Sequence, residues 1–172
     1  MAPDLFLTSI LDPGLVALFQ NGGPPITDAA RRFLLAIAFQ ESGPKLDARY
    51  QNSPSADAGP AHGWWQFEQG GGVAGVLTHP ASKNLALTGC EVCTVVPNEA
   101  AVWRALEGHD LLSPWFARLL VWTDPAALPT TQQDGYTQYT RLWRPGKPHP
   151  AVWPVNWTAA DQAVRNTAVT VV

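Results

Sequence analysis

Charge is what this chain has least of: Asp, Glu, Lys and Arg make up 15% of it, and among the Lys and Arg residues only Arg31 and Arg32 are adjacent. With a formal net charge of -3 there is no basic stripe to follow a phosphate backbone, so nucleic acid is not an expected partner. Long apolar runs are missing too. The stretch Phe6 to Phe19 is interrupted at Asp12-Pro13-Gly14, has no basic segment before it and is too short to cross a bilayer. Neither a transmembrane helix nor a secretory signal is therefore expected, and the protein should be made and kept in the cytoplasm unless something else exports it. Cysteine is nearly absent: Cys90 and Cys93 form a lone Cys-x-x-Cys, and the four histidines, at positions 62, 79, 109 and 149, lie too far apart to complete a zinc site. Two reduced thiols, no metal and no cofactor are the expectation. What the chain has in quantity is apolar residues, 46%, and eight tryptophans in 172 residues. That is enough for one substantial core, hence a single domain over 1–172, with indoles to spare for a ligand groove.

The chain is organised around Thr27 to Phe67. Thr27 is a good N-cap, and Asp28 puts negative charge into a first turn that favours it. Phe33, Leu34, Ile37, Ala38 and Glu41 then recur at helical spacing, so an apolar stripe ends in a carboxylate. Gly43 and Pro44 stop the helix, which is expected over Thr27 to Ser42. Glu41 falls on the inward face of its last turn, where burial and the negative helix end both push a carboxyl pKa upward. Such a group can protonate a leaving oxygen, as glycoside cleavage requires. Past a polar loop comes Ala61-His62-Gly63-Trp64-Trp65-Gln66-Phe67, two indoles and an amide able to meet sugar rings, hydroxyls and N-acetyl groups. If this stretch is extended, Trp64 and Trp65 point to opposite sides, one to the sugar and one to the core.

Gln40-Glu41-Ser42-Gly43, followed by Gly59-Pro60-Ala61-His62-Gly63-Trp64-Trp65-Gln66-Phe67, resembles lytic transglycosylases and goose-type lysozymes. Their pattern is a helix ending in Glu-Ser-Gly, then a Gly-Ala-x-Gly-hydrophobic-hydrophobic-Gln turn. The resemblance covers about a quarter of the chain. Pro60-Ala61-His62 widens the usual Gly-Ala step, and for the family's late Tyr-Asn-Gly motif the candidates are Tyr136 and Tyr139. Leu119 to Pro125 and Leu142 to Pro148 are similar to stretches of lysozyme-like proteins encoded by tailed bacteriophages. The resemblance implies a mainly α, lysozyme-like fold with a small β-hairpin or irregular wall beside a cleft. It implies Glu41 as the catalytic acid. Ser42, Gly63, Trp64, Trp65, Gln66, Phe67, Tyr136 and Tyr139 are the substrate-side candidates.

The remaining chain reads as helices. Residues 3–20 form one or two short ones, broken at Asp12-Pro13-Gly14 and ended by Gly22-Gly23. Residues 80–96 are ambiguous. Asn98 to Leu106, Asp110 to Trp122, Thr130 or Thr131 to Trp143, and Trp153 to Arg165 are helical, with Tyr136, Tyr139 and Trp143 sharing a face. The implied activity is cleavage of the β-1,4 bond between N-acetylmuramic acid and N-acetylglucosamine in a peptidoglycan glycan strand. A transglycosylase needs only Glu41, whereas a hydrolase needs a second carboxylate, for which Asp47, Asp57 and Glu68 are the candidates. Without a leader, such an enzyme would reach the wall by virion delivery or at lysis, and its partners would include other phage virion proteins. The rival expectation is a virion structural or glycan-binding protein that keeps the fold without turnover.

Overall fold

The computed structural model describes residues 1–46 and 59–168; Asp47, Asp57 and the last four residues of the Val-rich tail lie outside them. The expected central helix is there as α3 (Asp28–Ser42), with the Thr27 hydroxyl accepting from the Ala30 amide at 3.1 Å. It ends at Gly43, whose φ of 76° and ψ of 161° only glycine adopts readily. One feature differs from an amphipathic stripe. Phe33 to Phe39 are buried without a break, because α9 (Trp153–Asn166) runs along one side of α3 while α7 (Leu112–Trp122) and the N-terminal helices close the rest. A helix covered all round is a core element rather than a surface one.

The N-terminal segment does not break at Asp12-Pro13-Gly14. It runs as α1 (Pro3–Phe6), a π-helical turn (Leu7–Leu11) and α2 (Asp12–Gln20). The widened turn accommodates Pro13, which has no N–H for an i−4 carbonyl and whose ring would collide with it in a regular helix. Asp12 is buried on this segment and pairs with the fully buried Arg31 of α3, Nε to Oδ1 at 2.8 Å and a terminal nitrogen to Oδ2 at 2.9 Å. That guanidinium also donates to Asp28 and to the Thr167 carbonyl. No sequence pattern announced this pair. It locks the first helices, the central one and the end of the chain together.

Across from α3 lies the small sheet, β1 (Ala61–His62) antiparallel to β2 (Phe67–Glu68), with Ala61 opposite Glu68. The structure is mainly helical with this one two-stranded sheet among the described residues. A second π-helical turn, Gln69–Val73, leads into α4 (Ala74–Thr78), and the ambiguous stretch is α5 (Lys83–Val92). Cys90 is buried on α5 and Cys93 half-buried just past it; they are unlinked, and burial pushes the Cys90 thiol up to about 11. Helix α6 (Glu99–Gly108) starts at the Asn98 cap and α8 (Gln132–Trp143) at the Thr131 cap, each cap accepting one backbone amide. None of the described helices is long and apolar enough to cross a membrane.

Candidate active site

The last turn of α3, the hairpin, the glycine-rich turn after it, the end of α7 and the α8–α9 connection surround a cleft of about 920 Å³. Glu41 lies in its lining. Its carboxyl sits beneath α8, where the Tyr139 hydroxyl donates to Oε1 at 2.6 Å. Burial is the largest influence on this group, the Tyr139 hydrogen bond opposes it, and the negative charge of Glu68 adds to it. The pKa is raised from 4.5 to about 7. Glu41 is thus half-protonated near neutrality, where a general acid is most effective. With Oε1 taken by the phenol, the transferable proton belongs on Oε2.

Tyr139 owes its position to an aromatic stack. Its ring lies flat on Trp153 of α9, centroids 5.2 Å apart and planes at 11°, and Trp153 is fixed in turn by its indole N–H on the Gln132 carbonyl at 2.7 Å. Tyr136 packs on the far side of the same cluster and does not line the cleft. Of the two tyrosines at this helical spacing, the structure therefore brings only Tyr139 to Glu41. Tyr139→Phe removes a hydrogen bond that favours the Glu41 anion, so Glu41 should stay protonated to higher pH. Since activity would be lost as Glu41 ionises, the alkaline limb of a turbidity-clearing assay should move upward in pH, with activity near pH 6 kept within a few-fold. A limb that stays in place or moves down would count against Glu41 as the titrating acid.

The Gly63 to Gln66 stretch is not extended. Gly63 has φ 78° and Gln66 φ 48°, and the Gln66 amide donates back to the Gly63 carbonyl at 3.0 Å, which makes a tight turn. The expectation that adjacent indoles diverge, one into the groove, is corrected by that turn. Trp65 is fully buried with its N–H on the Leu34 carbonyl at 2.9 Å, and Trp64 is 4% exposed, packed edge-on against Phe6 with its N–H toward Asp110. Neither lines the cleft. Gly63 is held against α6, where a β-carbon would stand 2.4 Å from the Leu106 carbonyl oxygen, and it too is away from the cleft. Ser42 is buried and donates to the Trp64 carbonyl at 2.6 Å, tying the end of α3 to the turn. All four are packed as scaffold, and none of them is among the residues that line the cleft.

Gln66, Phe67 and Glu68 do line the cleft beside Glu41. Gln66 commits one donor to the Gly63 carbonyl at 2.9 Å. The indole that reaches the cleft is Trp143, the last residue of α8, half-buried with its N–H on the Trp65 carbonyl at 2.8 Å. Its place on the Tyr136–Tyr139 face was visible in the sequence, but not that this face turns toward Glu41. Other lining residues, none of them a site candidate from the sequence, are Gln40, Thr123, Gly70, Gly71 and, in the connection that reads simply as a turn, Arg144 to Lys147 and His149. Opposite, Trp103 stacks on the buried His62 ring at 3.7 Å and donates to the Pro60 carbonyl at 2.9 Å, bracing the Pro60–Ala61 rim. Among the described residues, no group of three or more His, Cys, Asp and Glu side chains gathers as a metal site would need. In comparisons with known proteins, no family model, no curated protein and no solved structure matches this chain.

Proposed function

We propose that this chain is a peptidoglycan-degrading muramidase with a lysozyme-like fold, cleaving the β-1,4 bond between N-acetylmuramic acid and N-acetylglucosamine for a bacteriophage. The observation that carries the proposal is Glu41: a carboxyl in the lining of a cleft large enough for sugar residues, with a pKa raised to about 7 and one oxygen held by Tyr139. Glu41 protonates the glycosidic oxygen through Oε2, and Tyr139 steadies the carboxylate that this leaves. The same carboxylate then takes the proton of the muramyl 6-hydroxyl, which closes onto C1 as a 1,6-anhydro ring. Trp143 offers an indole to a sugar face, and Gln66 offers an amide.

A hydrolase is the nearest alternative, and Glu68 is the acid that favours it, since it lines the same cleft and its charge reaches Glu41. Mass spectrometry of digested peptidoglycan separates the two. The transglycosylase yields fragments with a 1,6-anhydro end, lighter by one water than the reducing ends of hydrolysis. Reducing ends would transfer the second role to Glu68, with Asp47 and Asp57 to be tested beside it. A second reading, a virion component or glycan-binding module without turnover, is favoured by the exposed Leu5 and Val155 on the packed helices α1 and α9, suited to contacts within a particle. No released fragments at all would decide for it. As an enzyme the protein would work at the wall after virion delivery or at lysis, and as a virion component within the particle.

A further inference from the structure

We propose that the cleft wall formed by the α8–α9 connection is a subsite for the carboxylate-bearing substituent of a muramyl residue, with Arg144 and Lys147 as the cations that receive it. The inference rests on the muramidase reading and names what that cleft selects. The chain has a net charge of -3, yet Arg141, Arg144 and Lys147 line one cleft within seven positions. Arg141 is neutralised by Asp124, with its Nε 3.2 Å from Oδ2. Arg144 and Lys147 are exposed and pair with no carboxylate among the described residues. The acids of the cleft among the described residues, Glu41 and Glu68, come from α3 and the hairpin instead, so this charge is divided between separate parts of the chain.

Arg144 also occupies a costly backbone position. It caps α8 at φ 48° and ψ 50°, the left-handed conformation where helices ordinarily place Gly or Asn. The negative end of α8 favours a cation there, but a lysine or arginine within the last turn would serve that purpose unstrained, and Arg141 already does. What position 144 adds is a guanidinium on the cleft wall. The wall is fixed relative to the acid: Gln40, next to Glu41, donates to the His149 carbonyl at 3.2 Å and accepts from Asn156 at 2.9 Å. Muramic acid differs from N-acetylglucosamine by a lactyl ether that ends in a carboxylate or continues into a peptide with carboxylates of its own. A cationic wall held beside the acid distinguishes that sugar from its neighbour.

Binding is measured on the Glu41→Gln chain, with and without Arg144→Gly and Lys147→Gln, against three probes. These are stem-bearing glycan strands, strands stripped of peptide by an amidase, which frees the lactyl carboxylate, and chitohexaose, which has no carboxylate. Glycine accepts the backbone of position 144, so the Tm should stay within a few degrees. The Kd for the carboxylate-bearing strands should rise about tenfold, the effect of one or two exposed ion pairs, and the gap should shrink with salt. Weakening on the stripped strands alone assigns the free lactyl carboxylate, weakening on stem-bearing strands alone assigns the peptide carboxylates, and weakening on both assigns a wall that takes either. An unchanged Kd, or equal weakening on chitohexaose, overturns the subsite. If the unaltered chain releases no fragments and Glu41→Gln binds none of the probes, the muramidase reading falls and the subsite with it.

Discussion

Glu41→Gln should lower the rate of peptidoglycan clearing by on the order of 10² to 10⁴, the usual contribution of a positioned general acid, while the protein becomes more stable at neutral and alkaline pH. Both effects come from one carboxyl. Glutamine keeps the shape and can still accept from Tyr139, but it has no proton to give. The stability effect follows from linkage. Glu41 has a folded pKa of about 7 against 4.5 for the exposed group, so its folded form resists ionisation. Below pH 4.5 the group is protonated in both states and the two chains should be equally stable. As pH rises toward 7 the unfolded chain ionises first, and the Glu41 chain loses stability until the folded carboxyl has ionised too. A difference of 2.5 pKa units corresponds to about 3 kcal/mol at pH 8, or a Tm higher by roughly 6–12 °C in the variant. Thermal melts of the two proteins at pH 4 and pH 8 check this. Equal Tm values at pH 8 would show that Glu41 is not desolvated, and the argument for its proton would go with it.

Trp65→Ala is expected to cost about 3–5 kcal/mol, lowering the Tm by on the order of 10 °C, and Trp64→Ala should approach it. Trp65 is fully buried, its indole N–H satisfied by the Leu34 carbonyl inside α3, its own carbonyl accepting from Trp143. Removing the ring opens a cavity against the central helix and leaves that part of the core incompletely filled. Trp64 loses its edge contact with Phe6, 5.5 Å between centroids, along with its N–H toward Asp110. Denaturant titration with an unchanged m-value measures both costs. A Trp64 variant of full stability that no longer bound glycan would restore that indole to the groove and contradict its burial.

The parts of this fold legible in the sequence are those determined within a few residues. Thr27, Asn98 and Thr131 each cap a helix through their own side chain, and Gly43 ends α3 because its backbone angles exclude other residues. Glu41 could be placed on an inward face for the same reason, from helical spacing and a nearby stop. The tryptophan pair misled because direction along a chain depends on its local path, and a turn from Gly63 to Gln66 replaces the alternation of an extended strand. The remaining cleft wall was not legible because Tyr139, Trp143 and Arg144 come to the cleft of Glu41 only through tertiary packing, about a hundred residues along the chain from it. One local sign was present: an arginine where a helix stop would normally carry glycine.

The guanidinium of Arg31 binds Asp12 and the carbonyl of Thr167, groups far apart along the chain, and α9, which follows α3 by more than a hundred residues, is a main cover of α3. On the ribosome, then, α3 emerges early and waits. Until residues past 160 have cleared the exit tunnel, α3 has no partner for its α9 side and Tyr139 has no Trp153 to lie on. A growing chain therefore exposes apolar surface that favours chaperone capture, and it has no assembled acid site. Assembly of the cleft is thereby tied to the order of synthesis: Tyr139 takes its place over Glu41 only once α9 has packed.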